Sequence, residues 1–162
     1  MRKTKIYLDT SVINYLDAPH MPQQMQATVD LWDIFATGER FEVTISGAVE
    51  REIKASPDEK RRVLFDEIAK IRLTFLPTTT EVVDLSERYL EFGVLSPKSR
   101  DDLFHIAHAT VHGCQMIASW NFKHFVNFKT MDCVNAVNLI EGYAPIKIAS
   151  PSMILGEIGN ER

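Results

Sequence analysis

The chain has 162 residues, 45% hydrophobic and 25% charged, which is an ordinary composition for one globular domain with a buried core. Its formal net charge of -4 excludes a strongly basic nucleic-acid coat protein, although a local basic patch can still bind phosphates. The two cysteines, Cys114 and Cys133, lie far apart in the sequence and argue against a disulfide framework or a cysteine-rich zinc site.

Hydrophobic periodicity and helix-breaking residues predict alternating strands and helices. In chain order these are a strand at 5–9, helices at 11–16 and 23–37, a strand at 41–46, helices at 48–55 and 57–70, a strand at 72–76, helices at 81–92 and 100–112, and a strand at 115–119. Residues 138–140 and 146–148 are weaker strand candidates. Because helices separate the strands, we expect an α/β fold with a parallel sheet and helices on both of its faces.

We expect a single domain at 1–150 and a C-terminal tail at 151–162, of which 156–162 has the composition of a loose segment. The first apolar stretch is interrupted by Asp9 too early for a signal peptide. No apolar run approaches the length of a membrane span. The sequence therefore predicts a soluble, cytoplasmic protein without membrane association.

Asp9 is the most informative residue, because it directly follows the first predicted strand and precedes Thr10 and Ser11. Ligands of open α/β sheets bind outside the carboxyl ends of the strands, which makes Asp9 a candidate site residue. Asp, Ser and Thr are also common N-caps, so a purely structural role as a helix cap is an equally good interpretation.

Other polar residues fall at predicted strand ends or helix starts. They are Glu50 and Glu52 after the second strand, Asp101 and Asp102 at the start of the helix at 100–112, and Asn121 after the strand at 115–119. In a parallel sheet these positions share one edge. Two unit charges about 5 Å apart repel by about 3 kcal/mol at an effective dielectric constant of about 20, so several carboxylates need a cation between them. Oxygen ligands favour Mg²⁺ or Mn²⁺ over zinc, and such a cation suits phosphodiester hydrolysis.

Each acid also has a structural interpretation. The sequence from Ser99 to Asp102 has the spacing of a capping box, so Asp102 could simply stabilise a helix N-terminus. Glu50 and Glu52 point about 200° apart on an α-helix, so only one of them can face a site, and periodicity does not choose between them. Ser46 is a candidate N-cap for the same helix.

His105, His108 and His112 share a helical stripe that could form a nitrogen-rich metal site. Packing against neighbouring residues is the better interpretation, because the chain has no H-E-x-x-H pattern. Only His105 is expected near the acidic residues.

Four segments in this order resemble the PIN domain and, more narrowly, the VapC-type toxins of bacterial toxin–antitoxin pairs. These segments are 5–11, 45–53, 102–109 and 117–122, and the resemblance spans about residues 4–145. It implies a three-layer α/β/α sandwich with a central parallel sheet and a ribonuclease that depends on Mg²⁺ or Mn²⁺.

The resemblance assigns the metal ligands to Asp9, Glu52 and Asp102. Glu52 is preferred to Glu50 because the family pattern places the glutamate just before an apolar residue, here Ile53. Ser11 matches a small hydroxyl residue near the first aspartate. Asn121 departs from the pattern, since many members have aspartate there, and it is expected to complete the polar rim of the catalytic site.

The resemblance also implies an RNA substrate, a cognate antitoxin partner and a homodimer. Trp32 and Phe35 are candidates for an apolar groove that receives the antitoxin, and Trp120 or Phe122 could stack on a base or belong to the core. Basic residues near the motifs could contact phosphates: Arg51, Lys54, Lys98, Arg100, Lys123 and Lys129. The alternative is a catalytically impaired PIN-like module that binds RNA or protein, with Asn121 as its mark.

Overall fold

Strands and helices alternate along residues 2–161, the part of the chain that this computed structural model describes. The strands are β1 (Thr4–Leu8), β2 (Phe41–Ser46), β3 (Leu73–Leu76), β4 (Met116–Ala118) and β5 (Lys147–Ala149). The α-helices are α1 (Thr10–Asn14), α2 (Pro22–Thr37), α3 (Gly47–Lys54), α4 (Asp58–Ile68), α5 (Thr80–Glu91), α6 (Arg100–Val111), α7 (Phe128–Glu141) and α8 (Pro151–Asn160). Within residues 2–161, no helix combines the length and apolar character needed to cross a membrane.

The five strands form one parallel sheet in the order β3-β2-β1-β4-β5. Tyr7 in the central strand lies opposite Thr44 of β2 and Ile117 of β4. The chain places β2 and β3 on one side of β1 and then β4 and β5 on the other side. The boundary between β1 and β4 is therefore a topological switch point, which is where open α/β sheets bind their ligands.

The helices divide into two groups by their packing. Helices α1, α2, α3, α4 and α8 contact one another directly or through the short turn at Tyr15–Asp17, while α5, α6 and α7 form the second group. Right-handed crossovers place two such groups on opposite faces of a parallel sheet. The predicted α/β fold, with a central parallel sheet between two helical layers, is confirmed.

The core lies on both faces of β1, where Ile6, Tyr7 and Leu8 are completely buried. A strand covered on both faces reads as a continuous apolar run, which is how β1 appears in the sequence. Leu103 and Ile106 of α6 are also completely buried. The central strand and α6 thus form a rigid base for the polar residues at their ends.

The strand predicted at 138–140 is wrong, because these residues belong to α7. The Asn127 side chain caps this helix by accepting a hydrogen bond from the Thr130 N–H at 2.8 Å, and Gly142 ends it with a φ of 83°. Leu139 and Ile140 are 80% and 61% exposed, so the apolar run that suggested a buried strand lies on the outer surface of a helix.

The loose structure predicted for 156–162 is wrong for the residues up to Asn160, which continue α8; Arg162 lies outside the described residues. Ser150 caps this helix by accepting a hydrogen bond from the Met153 N–H at 3.2 Å, and Pro151 occupies its first turn. Ile154 is buried as α8 packs on α2. Packing therefore outweighs the low helix propensity of the two glycines in this segment.

The apolar groove predicted at Trp32 and Phe35 is also wrong. Both side chains are only 3% exposed, and Phe35 packs edge-on against Phe41 at 5.3 Å between ring centroids. The Trp32 Nε1–H donates a hydrogen bond to the Glu67 carbonyl at 2.9 Å. These residues are the inward face of α2 and are not available to a partner.

We predict that α8 contributes to the stability of the domain. Ile154 is 2% exposed and Met153 is 47% exposed in the same helix. We expect Ile154→Ala to lower the free energy of unfolding by about 2–4 kcal/mol, because it removes buried methylene groups. Urea denaturation followed by circular dichroism measures this change.

Met153→Ala is the matched control and should change the free energy of unfolding by less than about 0.5 kcal/mol. Equal effects of the two substitutions would show that α8 is not packed on the domain in solution.

Candidate active site

Asp9 lies at the switch point and is held by two serines. Its Oδ2 accepts a hydrogen bond from the Ser11 hydroxyl and another from the Ser119 hydroxyl, each at 2.7 Å. Asp9 occupies the N-cap position of α1, but its side chain makes no capping hydrogen bond. Asp9 is only 6% exposed, and its carboxylate is oriented by two side-chain hydroxyls, one from α1 and one from the residue after β4, and not by capping the helix that it precedes.

The two serine hydroxyls are themselves fixed. The Trp120 N–H donates to the Ser11 hydroxyl at 2.9 Å, and the Asn121 N–H donates to the Ser119 hydroxyl at 3.0 Å. Each hydroxyl therefore accepts from the backbone and donates to Asp9. Both serine bonds go to Oδ2, which leaves the other oxygen of Asp9 for a different partner.

Glu52 reaches the site through a buried chain of hydrogen bonds that starts in the sheet. The Tyr7 hydroxyl lies 2.8 Å from the Ser46 hydroxyl and 2.6 Å from Nδ1 of His105, whose Nε2 lies 3.0 Å from Oε1 of Glu52. An ionised carboxylate only accepts, so Nε2 donates to Glu52. Ser46, predicted to cap α3, makes no capping bond because its hydroxyl serves Tyr7.

The structure places Glu52, and not Glu50, toward the site. Glu50 forms an exposed ion pair with Lys54 at 2.8 Å on the same helix. Burial by itself raises the pKa of Glu52, but the hydrogen bond and charge of His105 outweigh it, and the pKa is lowered. Glu52 is therefore the ionised member of a defined pair.

His105 is almost completely buried beside three acids. Burial by itself lowers its pKa, but the hydrogen bond to Glu52 and the negative charges of Asp9, Glu52 and Asp102 outweigh this effect, so the pKa is raised. Burial also raises the pKa of Tyr7, which keeps its hydroxyl neutral. Both ring nitrogens of His105 are thus hydrogen-bonded, one to Tyr7 and the other to Glu52, and these bonds fix the position of Glu52.

Asp102 turns toward the site instead of capping its own helix. Ser99, at the N-cap position of α6, makes no side-chain capping bond, so the predicted capping box does not form. Oδ2 of Asp102 lies 2.7 Å from Nδ1 of His124. Burial raises the pKa of Asp102 and the charge of Asp9 adds to this effect, while the hydrogen bond with His124 opposes it. Asp102 is therefore bonded to the loop that follows Ser119, and Ser119 is the residue that donates to Asp9.

Asn121 lies beside Ser119, but its amide oxygen is used within its own loop. Oδ1 accepts a hydrogen bond from the His124 N–H at 2.9 Å. The Asn121 carbonyl also accepts from the Phe125 N–H at 3.0 Å. The Asn121 side chain therefore stabilises the backbone of its own loop.

The donor chemistry of the site fits a hard divalent cation. Asp9, Glu52 and Asp102 supply carboxylate oxygens, and the buried Thr10 hydroxyl lies near Glu52, whose pKa it helps to lower. Within residues 2–161, no three His, Cys, Asp or Glu side chains lie close enough together to enclose a metal ion. Mg²⁺ commonly binds one or two carboxylates and keeps several waters, so a complete protein cage is not required.

The other two histidines do not reach this site. The Thr78 hydroxyl lies 2.9 Å from Nε2 of His108, and the Pro77 carbonyl lies 2.7 Å from Nε2 of His112. His108 and His112 are thus bonded to the segment between β3 and α5, whereas His105 is bonded to Glu52.

Residues predicted to contact RNA have different surroundings. Trp120 is 8% exposed and its Nε1–H donates to the Thr28 hydroxyl at 2.8 Å, so it belongs to the core, whereas Phe122 is 55% exposed. Arg51 lines a cleft of about 150 Å³ beside Glu52. Arg100 forms an exposed ion pair with Glu87 at 3.3 Å. Arg51 and Phe122 are therefore the best placed of the predicted contacts.

Sequence reasoning missed Ser119, Tyr7 and the role of His124. Ser119 could have been found, because it follows β4 directly across the switch point from Asp9. Tyr7 had no such signal, since a buried tyrosine in a strand usually packs in the core. His124 depends on the shape of a loop that no periodicity predicts.

Comparison with known proteins identifies a shared fold. One chain in the structure of VapBC2 from Rickettsia felis, bound to a DNA fragment from the promoter, superposes with a TM-score of 0.57 at 13% sequence identity. The match covers 91% of this chain and 98% of that chain. No protein-family model and no curated protein matches the sequence. At this identity the match concerns the fold and says nothing about individual residues.

We predict that His105 makes stability depend on pH. Its pKa is raised above 6.5 in the folded protein, so protonation stabilises the fold below that pH and this contribution is lost as pH rises through the folded pKa. His105→Gln keeps an amide N–H near the Nε2 position but cannot titrate. Without metal, we expect the wild type to lose free energy of unfolding relative to this variant as the pH rises from below 6.5 through the raised pKa of the folded state.

Urea denaturation in the presence of a chelator measures the difference at each pH. His20→Gln is the control, because His20 is exposed and should leave the pH profile unchanged. A difference between wild type and His105→Gln that is constant with pH would contradict the assignment.

Proposed function

We propose that the protein is a metal-dependent endoribonuclease of the PIN-domain, VapC type. The observation that supports the proposal is geometric: Ser119 binds Asp9 across the switch point of a PIN-like parallel sheet, and α6 carries both Asp102 and His105, the partner of Glu52. Three carboxylates from distant parts of the chain in a partly buried place are costly without a cation. Helix capping does not explain the placement of Asp9 and Asp102, because Asp9 makes no capping bond and Asp102 is bonded to His124.

In this proposal Asp9 and Asp102 hold Mg²⁺ or Mn²⁺ and Glu52 completes the site directly or through water. Such a cation supplies an activated water and stabilises the negative charge that develops on the phosphate. The serines at positions 11 and 119 keep Asp9 in one orientation, and His105 does the same for Glu52. Fixed carboxylates need no reorganisation when substrate binds, which is the main protein contribution to this chemistry.

The substrate that we propose is cytoplasmic RNA. The exposed Phe122 can stack on an unpaired base, and Arg51 beside Glu52 can contact a phosphate. Single-stranded RNA offers both unstacked bases and accessible phosphates. The overall negative charge of the protein makes such local contacts, and not general attraction, the basis of binding.

An antitoxin partner and a homodimer are part of the same proposal. The antitoxin is supported by the structural neighbour, which is described as VapBC2 bound to a DNA fragment from the promoter, whereas the homodimer rests on the sequence resemblance. Exposed apolar side chains remain on the outer layers of the fold, including Phe128 and Leu139 of α7 at 84% and 80% exposure. Such residues suit a protein that has partners.

The alternative is an impaired PIN-like module that binds RNA or protein without cleaving it. One observation favours it: the position of the fourth family acid is Asn121, whose amide oxygen is already bonded to the loop backbone. A site with one negative charge fewer binds a second cation less well. This alternative predicts RNA binding that is not followed by cleavage.

We predict that purified protein cleaves RNA in the presence of Mn²⁺ and that Asp9→Asn or Asp102→Asn lowers the rate about 100-fold or more, because each removes a charge that holds the cation. Asp101→Asn is a matched control, since Asp101 is the exposed neighbour of Asp102. Cleavage of a mixed panel of structured and single-stranded RNAs, resolved on denaturing gels, measures the rates.

Cleavage that persists in both site variants, or that falls equally in Asp101→Asn, would contradict the site assignment. Binding of the RNA panel without cleavage by the wild type would instead support the impaired module.

A further inference from the structure

The loop at 121–127 is folded around its own side chains. The Asn121 carbonyl accepts a hydrogen bond from the Phe125 N–H at 3.0 Å, and Phe125 is completely buried. The Asn127 side chain donates to two carbonyls of the loop, those of Phe122 and Lys123, both at 3.0 Å. The loop is thus anchored in the core, braced across its middle and joined directly to the cap of α7. These contacts fix the backbone of the loop, so a side chain on it has a defined position.

The side chain that this loop places is His124. Oδ1 of Asn121 accepts the His124 N–H at 2.9 Å, which sets the backbone from which the ring projects. Nδ1 of the ring lies 2.7 Å from Oδ2 of Asp102. The side chains of His124 and Asp102 are 31% and 24% exposed, so the pair lies at the solvent-accessible edge of the site and not in the core.

Asp102 needs such a partner. Its carboxylate is partly buried and lies near the negative charge of Asp9. Both conditions raise the pKa of Asp102 and so disfavour its ionised form. Each acid has its own donor: Asp9 has two serines, Glu52 has His105, and Asp102 has His124. The bond to His124 uses Oδ2 and leaves the other oxygen of Asp102 for a ligand. Partners that orient metal-binding side chains in this way typically change metal affinity or activity about 10–100-fold when they are removed.

We propose that His124 is a positioning residue that orients Asp102 for a divalent cation through its Nδ1–H, and that Asn121 serves the site by bracing His124 and not by binding the cation. The inference deepens the proposed function and rests on it for the reaction. Cation binding itself can be measured without RNA, so the two proposals can fail separately.

The test compares Mn²⁺ binding to the full chain by isothermal titration calorimetry. His124→Ala should weaken Mn²⁺ binding about 10-fold or more. His124→Asn should restore it to within about 3-fold of the wild type, because the asparagine amide nitrogen occupies the place of Nδ1. His124→Gln places its amide nitrogen at the position of Nε2 and should not restore binding.

This pair of variants separates positioning from packing. Asparagine is smaller than histidine and glutamine is closer in size, so a role in packing would be rescued by glutamine and not by asparagine. Circular dichroism and melting temperature identify any variant that does not fold. His20→Ala, at an exposed histidine, is the control for the loss of an imidazole.

Asn121→Asp tests the second half of the inference. A carboxylate at this position can still accept the His124 N–H, so the loop should fold as before. Our inference expects no gain in Mn²⁺ affinity. A gain of about 10-fold would show that position 121 is a metal position lacking its charge, and would overturn the assignment of Asn121 as a brace.

Equal Mn²⁺ affinity of the wild type and His124→Ala would overturn the inference, even if the protein cleaves RNA. A 10-fold loss in His124→Ala with rescue by His124→Asn would support it, even if no RNA is cleaved. A wild type that binds no Mn²⁺ at millimolar concentration would contradict both the inference and the proposed function.

Discussion

The repulsion between carboxylates that share one partly buried edge of the sheet is the constraint on which the rest of the site depends. Burial and the charge of Asp9 raise the pKa of Asp102, and the charges of Asp9, Glu52 and Asp102 all raise the pKa of His105. Each of the three acids accepts hydrogen bonds from its own donors. Two serines hold Asp9, His105 holds Glu52 and His124 holds Asp102. These donors orient the three carboxylates, which is the physical basis of the metal site that we propose.

The parallel sheet makes this arrangement possible. β1 supplies Tyr7 from its interior and Asp9 from its carboxyl end, while β4 supplies Ser119 from the neighbouring carboxyl end. The Tyr7 hydroxyl carries a hydrogen-bond chain from the core to His105. Stability and site geometry are thus coupled through the same strand. A change in the packing of β1 would therefore alter the positions of the Asp9 and Glu52 side chains together.

The sequence was sufficient to predict the sheet, whereas the assignment of Asp9, Glu52 and Asp102 as metal ligands remains a prediction, and the physical reasons for both can be named. Continuous apolar runs identify buried parallel strands, and an acid directly after β1 lies at the ligand-binding edge whatever the details of packing. The choice of Glu52 over Glu50 came from the family resemblance, since helical periodicity alone left it open. The structure supplies the independent reason, because Glu50 pairs with Lys54 and Glu52 meets His105.

The features that the sequence could not supply depend on tertiary packing. Leu139 and Ile140 suggested a strand, although Asn127 and Gly142 mark the ends of a helix around them. The bond between His124 and Asp102 joins residues from different elements through a loop without periodicity. Propensity describes single segments, and these outcomes are decided by which segments meet.

A crystal structure of the protein soaked in Mn²⁺, with anomalous diffraction data, tests the central claim most directly. The account predicts one strong anomalous peak between the carboxylates of Asp9 and Asp102, on the oxygens that the serines and His124 leave free. An ordered site without a peak, or a peak bound elsewhere on the protein, would contradict it.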